Sequence, residues 1–97
     1  MSIYSRKTLK YMGIKETDTN ADQTVKLLAE AGSKLANARL AYEAALKPAR
    51  LQAKGAEKGS DVSKIVTQIN EALDLMVKAQ LKSNNVQQIA RLVQKGS

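Results

Sequence analysis

The chain has 97 residues, with 16 Lys and Arg against 9 Asp and Glu, which gives a formal net charge of +7 and a pI near 9.8. It contains no Cys, His, Phe or Trp, so disulfides, thiolate chemistry and histidine-based catalysis or metal binding are excluded. A chain of this length makes one domain (residues 1–97), and its core must come from aliphatic side chains.

The first 19 residues form a basic N-terminal segment. Residues 2–12 predict a short helix, capped by Ser2 and ended by Gly13 in the left-handed conformation. Ser, Thr and Tyr in this stretch are poor helix formers. Two alternatives therefore stay open: a helix in the isolated chain, or a segment that becomes ordered on binding a partner.

A long Ala-rich helix is predicted over residues 20–54. Capping residues precede it, and either Thr19 with Asp22 or Asn20 with Gln23 resembles a capping box. The single proline, Pro48, predicts that this helix is kinked or ends nearby, and that helix resumes beyond it as far as the next glycine.

Large and small apolar residues alternate along this helix at spacings of four and three, which is typical of a helix-packing seam. A second, weaker apolar line through Leu40 and Leu51 predicts either another contact surface or scattered exposed side chains. We expect these residues to pack against copies of the chain or another protein. The partner-binding seam so predicted comprises Leu28, Ala31, Leu35, Ala38, Tyr42, Ala45, Leu40 and Leu51.

A turn over residues 56–59 leads to an amphipathic helix over residues 61–82, capped by Ser60 or Asp61. The run Ser83-Asn84-Asn85 predicts a break, followed by a short C-terminal helix over residues 85–95. The fold class predicted is all-α. We expect an elongated antiparallel helical hairpin of two long helices with short flanking N- and C-terminal helices, in a small helical bundle.

Basic residues cluster near the end of the Ala-rich helix and in the turn that follows it. This candidate basic patch predicts binding to phosphates of a nucleic acid, whereas a solvated face is the simpler interpretation. Cations near a helix C-terminus are also stabilised by the helix dipole. The residues concerned are Arg39, Lys47, Arg50, Lys54 and Lys58.

No catalytic, cofactor-binding or metal-binding residues are predicted, so we expect no enzyme and no cofactor. The favoured function is a non-catalytic interaction or assembly protein, for example a component of a phage or mobile-element particle. The alternatives are a nucleic-acid-associated protein and a small inhibitor or immunity-type protein that binds an acidic target. No signal peptide or membrane span is apparent, so we expect an intracellular location or one within a particle.

Overall fold

The computed structural model describes residues 13–96, and two long helices account for most of them. Helix α1 spans Asn20–Ala53 and helix α2 spans Asp61–Gly96. Residues 13–96 contain no strand. The two helices form a helical hairpin, which confirms the predicted all-α hairpin. The predicted first helix over residues 2–12 lies outside the described residues.

Helix α1 begins at a capping box. The Asp22 backbone N–H donates a hydrogen bond to Thr19 Oγ1 at 3.1 Å, and the Thr19 backbone N–H donates to Asp22 Oδ2 at 3.2 Å. Each side chain therefore satisfies a backbone donor that the first turn of a helix leaves without an intrahelical partner. Of the two capping boxes that the sequence allows, the structure selects Thr19 with Asp22.

Helix α1 continues through its proline. Pro48 lies inside the helix, which ends only at Ala53, so the predicted alternative of an end near Pro48 is wrong. Proline removes one helical hydrogen bond. Ala49 in the next position is only 5% exposed, whereas Pro48 itself is exposed. The helix stops before Gly55, whose φ of 79° is the left-handed conformation expected for a C-terminal glycine.

Helix α2 is longer than predicted. It begins after Ser60, whose Oγ accepts a hydrogen bond from the Ser63 backbone N–H at 3.3 Å. It then runs without interruption to Gly96, so the predicted break at residues 83–85 and the separate short helix over residues 85–95 are both wrong. Ser83 is half-buried and its Oγ accepts a hydrogen bond from Gln87 Nε2 at 3.1 Å, one turn later. Tertiary packing here overrides the weak helix propensity of Ser and Asn.

The hairpin divides into two compact units, each containing a piece of both helices. Unit 1 combines residues 13–33 with residues 82–96, and unit 2 is Lys34–Leu81. The buried hydrophobic side chains among the described residues are few: Ile14 and Ala90 in unit 1, and Ala49 and Ile69 in unit 2. Two of these four are alanines, so each unit has a thin core.

Candidate functional site

In unit 1, α2 turns a polar and small-residue face towards α1. The helices approach each other closely at Gly32, which is buried: a Cβ atom there would lie 2.5 Å from Gln87 Nε2 and 3.2 Å from Ser83 Oγ. Ala90, which is 9% exposed, belongs to the same face. Ser83, Gln87, Ala90 and Gln94 follow one another at spacings of four, three and four. Such spacing places all of them on one side of a helix.

The start of α1 is tied to the end of α2 by a hydrogen bond across unit 1. Gln94 Nε2 donates to Asp22 Oδ1 at 2.9 Å, so the capping carboxylate also holds the second helix. This hydrogen bond from Gln94, followed by those from Thr19, lowers the pKa of Asp22 below its ordinary value of 3.8. The interior of unit 1 is therefore joined by amide and carboxylate groups as well as by apolar contacts.

A second carboxylate holds the residues that precede α1. Lys26 Nζ donates a hydrogen bond to Asp18 Oδ2 at 2.7 Å and another to the Gly13 carbonyl at 2.9 Å. The hydrogen bond from Lys26, followed by the one from the Lys15 backbone N–H, lowers the pKa of Asp18. Lys26 thereby fastens the segment that contains the buried Ile14 to the first turns of α1.

The apolar residues of α2 in unit 1 lie on the side that is left exposed. Val86, Ile89 and Val93 follow one another at spacings of three and four. Each directly precedes a residue of the face that α2 turns towards α1, namely Gln87, Ala90 and Gln94. Their exposed fractions are 42%, 60% and 60%, and the neighbouring Leu92 is 69% exposed. At about 100° per residue these four side chains cover roughly a third of the helix circumference. We call Val86, Ile89, Leu92 and Val93 the C-terminal apolar surface.

The polarity of α2 in unit 1 is thus reversed from that of an ordinary amphipathic helix. Such a helix buries its apolar stripe and exposes its polar one. Here Ser83, Gln87 and Gln94 are half-buried, whereas four large aliphatic side chains are exposed. A large exposed apolar patch is the usual mark of a surface that binds another molecule. The sequence analysis did not identify this surface, although the spacing of residues 86, 89 and 93 places them on one side of a helix.

Unit 2 also places a polar side chain between its helices. Gln80 is half-buried, and its Oε1 atom is buried with no hydrogen-bond partner among the described residues. A buried carbonyl oxygen without a partner loses the hydrogen bonds that water would supply. The Gln80 side chain therefore lowers the stability of unit 2.

The residues of the predicted partner-binding seam fall into two groups. Leu28, Leu35, Ala38 and Ala45 are half-buried within the chain itself. Ala31 is exposed, and the neighbouring Gly32 takes the buried position. Tyr42, Leu40 and Leu51 are exposed, at 40%, 62% and 65%. These last three are the seam residues with most surface left for a partner.

Of the candidate basic patch, Arg39, Lys47 and Arg50 lie on α1, Lys54 directly follows its last residue, and Lys58 lies further along the connection to α2. Arg39 pairs with Glu43 through an Nε–Oε1 distance of 3.3 Å. Lys47, Arg50 and Lys54 are exposed and form no ion pair with any of residues 13–96. They line an open groove of about 840 Å³ in unit 2. The other lining residues are Glu43, Leu46, Leu51, Ala53, Ser63 and Val66.

A smaller groove of about 420 Å³ lies elsewhere in unit 2. It is lined by Tyr42, Asp61, Lys64, Ile65, Gln68, Ile69 and Ala72. Its two charged groups, Asp61 and Lys64, lie 4.0 Å apart and oppose each other, so this groove has no excess charge with which to select a ligand.

Within residues 13–96 no group of three or more Asp and Glu side chains is placed to hold a metal ion. No helix in the described range is both long enough and apolar enough to cross a membrane. No protein-family model matches the chain, and neither a curated protein nor a solved structure matches it.

Proposed function

We propose that the chain is a non-catalytic assembly protein that associates with copies of itself through the C-terminal apolar surface. The observation that carries this proposal is the reversed polarity of α2 in unit 1: Val86, Ile89, Leu92 and Val93 are exposed while Ser83, Gln87 and Gln94 are half-buried. A helix with this pattern gains from a second apolar surface that covers its exposed side.

The size of the surface sets the expected strength of association. Complete burial of one aliphatic side chain contributes about 1.5–3 kcal/mol, and these four have roughly half of their area left to bury. A symmetric pair buries the same surface on both copies and so doubles the gain. The total of roughly 8 kcal/mol is of the same order as the cost of association, about 4–15 kcal/mol. We therefore expect reversible, concentration-dependent self-association.

The test is the mass of the chain in solution, measured by light scattering over a concentration series up to about 1 mM. We expect the mass of the wild-type chain to rise with concentration and to change little with salt, because apolar contacts are not screened. The double variant Ile89→Ser with Leu92→Ser should remain a monomer over the same range.

Leu40→Ser is the matched control, because Leu40 is 62% exposed but lies on α1 in unit 2. It should associate as the wild-type chain does. The proposal fails if the wild-type chain stays monomeric. It also fails if Leu40→Ser, and not the α2 double variant, abolishes association, since the contact would then belong to α1.

A further inference from the structure

The larger groove in unit 2 is lined by both cations and aliphatic side chains. It is lined by Lys47, Arg50 and Lys54, which form no ion pair with any of residues 13–96 and which we call the rim cations. It is also lined by Leu46, Leu51 and Val66, which we call the aliphatic floor, and Leu51 is 65% exposed. Cations near a helix C-terminus need no ligand to explain them, and neither does a single exposed leucine. Both kinds of side chain line the same groove, so one ligand can contact both.

Glu43 lowers the positive character of this groove by less than its full charge, because it pairs with Arg39. It is the acidic residue among the lining residues, and Arg39 outside the groove holds its Oε1 atom at 3.3 Å. The carboxylate is therefore partly neutralised from outside the groove. The three rim cations keep their charges available, and an anionic ligand is favoured there.

The rim cations follow one another at intervals of three and four residues. Lys47 and Arg50 lie on the last two turns of α1, and Lys54 directly follows its last residue, Ala53. A helix of another protein that lies along the groove can present carboxylates at the same intervals. Its apolar side chains, one position away, then reach the aliphatic floor.

We propose that this groove binds an acidic amphipathic helix of another protein, with carboxylates on Lys47, Arg50 and Lys54 and aliphatic side chains on Leu51 and Val66. This is the helix-in-groove mode of recognition. A nucleic-acid backbone uses the cations alone and gains nothing from the aliphatic floor. The groove lies in unit 2 and the C-terminal apolar surface in unit 1, so this site is separate from the proposed self-association.

The probe is a synthetic helical peptide of about four turns with a leucine stripe flanked by glutamates, and binding is measured by fluorescence anisotropy. Two comparison ligands carry the same charge: a scrambled peptide of the same composition and a single-stranded oligonucleotide. We expect the amphipathic peptide to bind at least about tenfold more tightly than either comparison ligand, with affinity that falls as salt rises.

Variants then separate the two halves of the site. Leu51→Ser removes the exposed apolar contact, and Arg50→Glu with Lys54→Glu reverses two rim charges; each should weaken peptide binding about tenfold or more. Lys58→Glu is the control, because it reverses one charge outside the groove lining and should bind within about twofold of the wild type. Circular dichroism checks that each variant keeps its helical fold.

The proposal is overturned if the oligonucleotide binds as tightly as the amphipathic peptide and Leu51→Ser changes nothing, because a phosphate-binding surface then explains the cations. It is overturned equally if no ligand binds, because the groove is then only a solvated surface. Neither result bears on self-association: the Ile89→Ser and Leu92→Ser variant should still bind the peptide, and the groove variants should still associate.

Discussion

The close approach of the helices at Gly32 predicts how one added methyl group, in Gly32→Ala, changes the free energy of unfolding. Replacement of glycine by alanine within a helix ordinarily stabilises the helix by about 1 kcal/mol. In Gly32→Ala the new Cβ lies 2.5 Å from Gln87 Nε2, so the Gln87 amide must move. That movement breaks its 3.1 Å hydrogen bond to Ser83 Oγ, which contributes about 0.5–1.5 kcal/mol. The two effects oppose each other, and we expect Gly32→Ala to change the free energy of unfolding by less than about 0.5 kcal/mol.

A double-mutant cycle with Gln87→Ala isolates the steric effect. When the glutamine side chain is absent, nothing stands within 3.0 Å of the new Cβ, and Ser83 Oγ at 3.2 Å needs to give way by only a few tenths of an ångström. Gly32→Ala should then stabilise the protein by close to the full ~1 kcal/mol. The coupling free energy between the two substitutions is therefore expected to be about 1 kcal/mol.

The assay is urea denaturation followed by circular dichroism, applied to the wild type, the two single variants and the double variant. All four are kept at one low concentration because self-association adds to apparent stability. Stabilisation by about 1 kcal/mol in both backgrounds would refute the reasoning. Gln87 and Ser83 would then not face Gly32, and the assignment of Val86 and Ile89 to the exposed side of α2 would lose its basis.

Two further predictions concern polar groups of the hairpin. The pKa values of Asp18 and Asp22 are lower in the folded chain than the unfolded value near 3.8. Their ionised forms therefore stabilise the fold at any pH above that value, and this contribution is lost as the pH falls through the lowered pKa values. The urea midpoint of the wild-type chain should therefore fall steeply below about pH 4, and that of Asp22→Asn should fall less steeply. Equal dependence of the two midpoints on pH would contradict this account. Gln80→Met should raise the free energy of unfolding by about 1 kcal/mol, because it removes a buried carbonyl oxygen that has no hydrogen-bond partner. A loss of stability on the same scale in the urea assay would indicate that this oxygen does have a partner.

The sequence predicted the fold wherever the signals were local. The capping box at Thr19, the cap at Ser60 and the end of α1 before Gly55 all depend on residues within one turn of each other. Local rules failed at Pro48 and at residues 83–85, where each helix continues and a side chain is buried or half-buried. Ala49 is buried beside the proline, and Ser83 is held by Gln87 and faces Gly32 across the hairpin.

The candidate sites were predicted less completely than the fold. Lys47, Arg50 and Lys54 were found from their spacing on one helix, but the apolar floor that accompanies them includes Val66 on the other helix. The C-terminal apolar surface was missed for a different reason. Whether Val86 or Gln87 points inwards depends on the rotational register of α2 against α1, and one residue along a helix turns the side-chain direction by about 100°. That register is fixed by Gly32, a long-range contact that helical periodicity alone does not reveal.

The most direct test of the central claim is whether Ile89 becomes buried as the chain associates. Since the chain has no Cys, Ile89→Cys can carry a single environment-sensitive fluorophore, with Leu40→Cys as the comparison position of similar exposure. We predict that the emission at residue 89 shifts to the blue as the chain concentration rises, in step with the mass, while the emission at residue 40 stays constant. An unchanged emission at residue 89 while the mass rises would contradict assembly through the C-terminal apolar surface.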